Sequence, residues 1–173
     1  MNVQKIEQEL LRGLQNPPPG RDHGLRYKLP DNQTLVIHPD GFRAFVLWPT
    51  DPFHLSEKCF PFIERLPFKV PELEEGTLLI PTGMETKLDK RGNGTKPIPV
   101  QIFNHPDGGK TYLDKSFLAP FDKGARFYQE YSRIEGRKNW AIVAVAETNR
   151  ITGELEIVGY IMPVKGPEHA TTN

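Results

Sequence analysis

Trp140 to Met162 reads WAIVAVAETNRITGELEIVGYIM, and its two halves are made to pair with each other. Trp140 to Ala146 is rich in β-branched residues, and Glu154 to Met162 alternates polar with apolar, the period of a strand with one buried face. Asn149 to Gly153 supplies the turn between them. The same logic recurs twice upstream. Thr34-Leu35-Val36-Ile37 and Phe42 to Trp48 flank His38-Pro39-Asp40-Gly41, while Val100 to Asn104 and Lys110 to Leu113 flank His105-Pro106-Asp107-Gly108. In such a tetrapeptide Pro sets φ, Asp bonds back to the chain and Gly takes the φ > 0 position. Three antiparallel hairpins are therefore expected.

The segments around them are of other kinds. Val3, Ile6, Leu10, Leu11 and Leu14 recur at helical spacing and predict an N-terminal helix over 1–16, stopped by Asn16-Pro17-Pro18-Pro19-Gly20. That proline run is a stiff connector to a β-rich core over 34–163. Pro52 to Gly76 is broken by four prolines, with a turn of helix expected from Pro61, and Thr77 to Ile80 reads as a buried strand. Met84 to Lys96 reads as a mobile loop, and 166–173 as a disordered tail. Asp122 to Glu135 is a helix candidate with Phe127, Tyr128, Tyr131 and Ile134 on one face and Gly136 as its stop. The fold class is α+β and predominantly antiparallel β. It comprises about seven strands in one curved sheet or partly open barrel, an N-terminal helix, and one helix before the last hairpin. No run of strand–helix–strand units argues for a parallel sheet.

Composition bounds the rest. At 173 residues the chain fits a single domain, and 17 Pro with 15 Gly favour turns over long helices. Cys59 is the one cysteine, so no intrachain disulfide forms. The charged start excludes a signal peptide, and no apolar run reaches the roughly 20 residues of a membrane span. The Asn-x-Thr triplets at Asn32 and Asn93 are then coincidental, and the expected location is cytoplasmic, with no membrane partner. Lys and Arg number 22 against 22 Asp and Glu, which is not the balance of a bulk-electrostatic DNA binder. Residues 84–138 are locally basic, however, with eleven Lys or Arg against seven Asp or Glu.

Candidate chemistry is sparse. His38 with Asp40, or His105 with Asp107, could form a metal site or an acid–base pair, although Pro-Asp-Gly is favoured in turns for backbone reasons alone. Cys59 adjoins Phe60, Pro61 and Phe62 and reads as a small buried hydrophobe rather than a nucleophile. Gly41 to Trp48 has the glycine and rings of an RNA-binding strand, but Arg43 places Phe42 and Phe45 on opposite faces and removes the match. A basic-aromatic set comprises Lys87, Lys90, Arg91, Lys115, Lys123, Arg126, Tyr128, Tyr131, Arg137 and Lys138, where cations would meet phosphates and rings would meet bases. Phe53, Phe60, Phe62 and Phe68 lie among prolines, either as an irregular edge of the core or as a partner surface.

The common signatures of nucleotide-binding, serine-hydrolase and zinc enzymes are missing, and no cofactor or metal is expected. The function expected is a non-enzymatic binding or accessory module that engages another macromolecule through one face. Its partner is a protein or a second copy of the chain. The alternatives are nucleic-acid binding through 84–138 and a small enzyme built on His38/Asp40 or His105/Asp107.

Overall fold

The computed structural model describes residues 2–51, 55–66, 68–74, 76–89, 96–130 and 141–164. In chain order they form α1 (Val3–Gln15), β1 (Leu25–Lys28), a 3-10 turn (Pro30–Asn32), β2 (Thr34–Ile37), β3 (Arg43–Leu47), β4 (Gly76–Asp89), β5 (Lys96–Asn104), β6 (Lys110–Asp114), α2 (Lys115–Leu118), β7 (Arg126–Glu130), β8 (Val143–Thr148) and β9 (Leu155–Ile161). Every strand pairing is antiparallel. The order across the open sheet is β1-β2-β3-β9-β8-β7-β4-β5-β6. The three hairpins are β2–β3, β5–β6 and β8–β9.

Among the described residues nine strands stand where about seven were expected, and each extra one has a local cause. β1 lies in the polar stretch before Thr34, where Leu25 and Tyr27 alternate with Arg26 and Lys28 and pair with β2. β7 replaces the helix expected over Asp122 to Glu135. Phe127 and Tyr128 are neighbours in sequence but face opposite sides, Phe127 against one apolar cluster and Tyr128 against another. Aromatics at spacings of three and four fit a helix on paper, yet alternation between two buried surfaces favours the strand. Residues 131–135 lie outside the described residues. The second described helix lies elsewhere: it is the short α2, between β6 and β7, capped by the Asp114 carboxylate on the Ser116 N–H at 2.8 Å.

β4 corrects the loop expected from Met84 to Lys96. It runs through to Asp89, and β5 starts at Lys96; residues 90–95 lie outside the described residues. A β-bulge between Pro81 and Gly83 shifts the register and carries the strand past its proline. Beside β1, residues 61–63 run as a bridging edge rather than a helical turn: the Arg26 N–H donates to the Pro61 carbonyl and the Ile63 N–H to that of Arg26. At the far edge the Val164 N–H donates to the Tyr112 carbonyl of β6 at 2.9 Å. Both outer strands are thus partly covered, which limits edge-to-edge pairing there.

Each face of the sheet buries its own cluster. One holds Ile6 and Leu10 of α1 with Val36, Phe45, Leu79, Phe103, Leu113, Val145 and Ile161, closed by Phe60, Phe117 and Phe121. The other holds Leu35, Ile37, Ala44, Val46, Ala144 and Tyr160 under Ile63, Leu66, Phe68 and Val70. The aromatic stretch among prolines is therefore largely core; Phe62 is the exposed ring of those described, stacked by the Arg26 guanidinium at 4.2 Å. Phe53 lies outside the described residues. In α1, Leu11 is exposed rather than part of the buried stripe. Phe42 and Phe45 pack against the same cluster, not on opposite faces, because Phe42 belongs to the turn and the strand begins at Arg43. Among the described residues, no helix is long and apolar enough to cross a membrane.

Candidate functional site

The first His-Pro-Asp-Gly turn folds as its chemistry requires, with Gly41 at φ 72° and its N–H donating to the His38 carbonyl at 2.8 Å. The tetrapeptide also anchors a polar cluster beneath α1. His38 is 4% exposed and Arg43 9%. Arg43 Nε donates to Asp40 Oδ2 and Nη1 to Glu9 Oε2, each at 3.0 Å, and its guanidinium lies 4.7 Å from the Phe117 ring centre. His38 Nε2 lies 2.9 Å from the Glu9 carbonyl, to which it donates when protonated, and 3.3 Å from Arg43 Nη2. Nδ1 sits 3.0 Å from the Asp40 amide and 2.9 Å from Asp40 Oδ2. Unprotonated, it accepts from the amide; protonated, it donates to the carboxylate.

Burial pushes the Asp40 carboxyl up. The His38 hydrogen bond, the His38 and Arg43 charges and the Phe42 N–H outweigh it and hold the group below its ordinary value of 3.8. With both ring nitrogens of His38 facing protein groups, this cluster braces α1 against the β2–β3 hairpin. Its space is made by Gly13, where a Cβ would stand 2.5 Å from His38 Nε2. Gly13→Ala is accordingly expected to cost about 1–2 kcal/mol by forcing the ring off its partners. Chemical denaturation checks this, and unchanged stability would show that the ring moves aside at no cost.

The second turn is a different object. Its His105 N–H donates to the Gly109 carbonyl, and Gly108 takes φ 89°. His105 Nε2 lies 2.9 Å from Thr111 Oγ1, which donates to Gln129 Oε1 at 2.5 Å; Gln129 Nε2 donates to the Ala141 carbonyl at 2.6 Å. Asp107 accepts from the Gly109 N–H at 3.2 Å. Between the β2–β3 and β5–β6 hairpins stand β9, β8, β7 and β4. His38 and His105 share no described hydrogen-bonding partner. Among the described residues, no group of three or more His, Cys, Asp and Glu could hold a metal ion.

Of the basic-aromatic set, Lys90, Arg91, Tyr131, Arg137 and Lys138 lie outside the described residues, and Lys87 lies in β4. Lys115 opens α2, Lys123 sits in the turn before β7 and Arg126 opens β7, all exposed. Tyr128 is turned into the second cluster. Cys59 is half-buried against the first.

Two features lay outside the sequence expectation. One is a cleft of about 610 Å³ at the turn end of β2 and β3, whose lining includes Arg21, His23, Ala44, Phe68, Ile142 and Tyr160. The other is the outer part of β4. Leu78 pairs with Tyr128 on the second cluster's face and is 43% exposed, and Ile80, two residues on, is 54% exposed. Past the bulge Met84, on the opposite face, is 48% exposed. β6 pairs with β5 only from Val100, so, among the described residues, 86–89 and 96–99 form a two-stranded ribbon. Alternation puts Pro97 and Pro99 on one edge of β5, and a proline cannot donate to a ladder. Their shared edge is thus the one facing away from β4. The sequence signal for the exposed apolar stretch of β4 was the spacing of Leu78, Ile80 and Met84 across a proline.

No family model matches the chain, and neither a curated protein nor a solved structure matches it.

Proposed function

We propose that this chain is a non-catalytic binding module that engages a protein, a second copy of itself, through the outer part of β4 and the ribbon it forms with β5. The observation that carries this is the pair Leu78 and Ile80, exposed side by side on a strand whose continuation exposes Met84 on its other face. A two-stranded ribbon is marginal in water on its own. Apolar side chains left open on both faces of β4, short of that ribbon, give a partner something to bury. Charge does not oppose a second copy as that partner. The described stretch 84–89 and 96–99 is balanced, Lys87 and Lys96 against Glu85 and Asp89, and the whole chain is neutral, so no net repulsion opposes the pair. The proline-blocked edge of β5 directs such a contact to side chains rather than to added strands.

The engagement of both His38 nitrogens supports the non-catalytic reading over the small enzyme. Nucleic acid is the second candidate, carried by exposed Lys115, Lys123 and Arg126; with Tyr128 packed inward, one stacking ring is lost from it. Sedimentation velocity over a range of concentrations tests the proposal. Monomer and dimer should exchange with concentration, and Ile80→Asp should weaken the dimer at least about tenfold, the effect of roughly 1.4 kcal/mol. A monomer at every concentration, or a dimer indifferent to Ile80→Asp, would overturn it.

A further inference from the structure

We infer that the cleft at the turn end of β2 and β3 is a binding site for a small amphipathic carboxylate, an aliphatic or aromatic body with one anionic head. It goes beyond the β4 contact and does not depend on it.

The volume of about 610 Å³ falls in the range of roughly 300–1,000 Å³ typical of small-molecule sites. Its inner wall is apolar, from Ala44, Phe68, Ile142 and Met162, with the Tyr160 ring among them. Its polar lining is one-sided: Arg21, Arg43, His23 and His38 are present, and no carboxylate is among the described lining residues. The Arg43 charge is already met by Asp40 and Glu9. Arg21 is not so met. Its Nη1 donates to the Asp40 backbone carbonyl at 3.0 Å, and it pairs with no carboxylate among the described residues.

What holds Arg21 there is the glycine of the turn. The guanidinium lies where a Cβ on Gly41 would be, at a residue whose φ of 72° already disfavours any side chain. An arginine placed by the backbone at the mouth of an apolar cleft, with its remaining N–H groups unspent, suits a carboxylate in fork geometry. The Tyr160 hydroxyl remains a neutral donor, because burial and then the nearby charge of Glu72 raise it to about 12. Glu72 itself is exposed and does not line the cleft.

The test is a titration of the protein, labelled at methionine and isoleucine methyls, with sodium octanoate, octan-1-ol and sodium acetate in turn. Octanoate should shift the Met162 and Ile142 methyl resonances saturably. Octanol should bind at least about tenfold more weakly, and acetate should leave both resonances in place. Arg21→Gln, a change at an exposed position, should weaken octanoate about tenfold and leave octanol unchanged. Equal binding of octanoate and octanol would reduce the cleft to an apolar hole with no anion recognition. No saturable shift, or wild-type octanoate affinity in Arg21→Gln, would overturn the site outright.

Discussion

Arg43→Met is expected to destabilise the protein by about 3 kcal/mol, because it leaves the part-buried Asp40 carboxylate under α1 without its arginine and Glu9 with only the exposed Arg12 at 2.9 Å. The guanidinium is 9% exposed and donates to both carboxylates at 3.0 Å. Methionine fills much of its volume, so the loss reports charge rather than a cavity. Urea denaturation measures it, and the pH dependence identifies its origin. Asp40 titrates lower in the folded chain than its ordinary 3.8. Its contribution is thus fully present above that value and fades as pH falls through the lower folded value. In Arg43→Met the difference from wild type should be largest at neutral pH and shrink in acid, where protonated carboxyls need no partner. A loss of stability independent of pH would assign Arg43 to packing on Phe117 instead.

Gly159→Ala is the second large effect, at about 3 kcal/mol, the upper end of ordinary overpacking. Gly159 sits at the register shift of β9, opposite both Phe45 and Val145. A Cβ there would stand 2.7 Å from the Ala44 carbonyl oxygen and 2.9 Å from the Phe121 ring. The ring can yield; the carbonyl cannot, since Ala44 is held between Ile37 on β2 and Tyr160 on β9. A melting temperature lower by roughly 6–12 °C is expected for a chain of this size. Adding Phe121→Leu should recover only part of it, because the backbone contact remains. Full recovery would show that the ring alone was in the way.

What could be read in advance follows from how local its cause is. The three hairpins were legible because turn chemistry and strand alternation act within a few residues, as in His38-Pro39-Asp40-Gly41 between β2 and β3. β7 was not, because its aromatics fit helical spacing until it is known that both faces of the sheet are covered. β4 was legible as a strand as far as Ile80 but not as the buried strand expected, since Leu78 and Ile80 are exposed; its continuation depends on a bulge that absorbs Pro81, a matter of register with β5. At the site, His38 and Asp40 stood out as chemistry, while Glu9 did not, since it lies on another element. The available clue was Arg43, a charge in the apolar run from Phe42 to Trp48, which could be buried only if something met it. The cleft left no local mark, being assembled from the 20–25 segment, the first hairpin, Phe68 and β9.

Backbone hydrogen exchange at two protein concentrations, one well below and one well above the expected dimerisation range, tests the central claim most directly. If the outer part of β4 is the contact, the amides of 84–89 and of Ile98 gain protection as concentration rises. Those of Val143–Thr148, already central in the sheet, stay unchanged. Protection of the ribbon that is the same at both concentrations would contradict it.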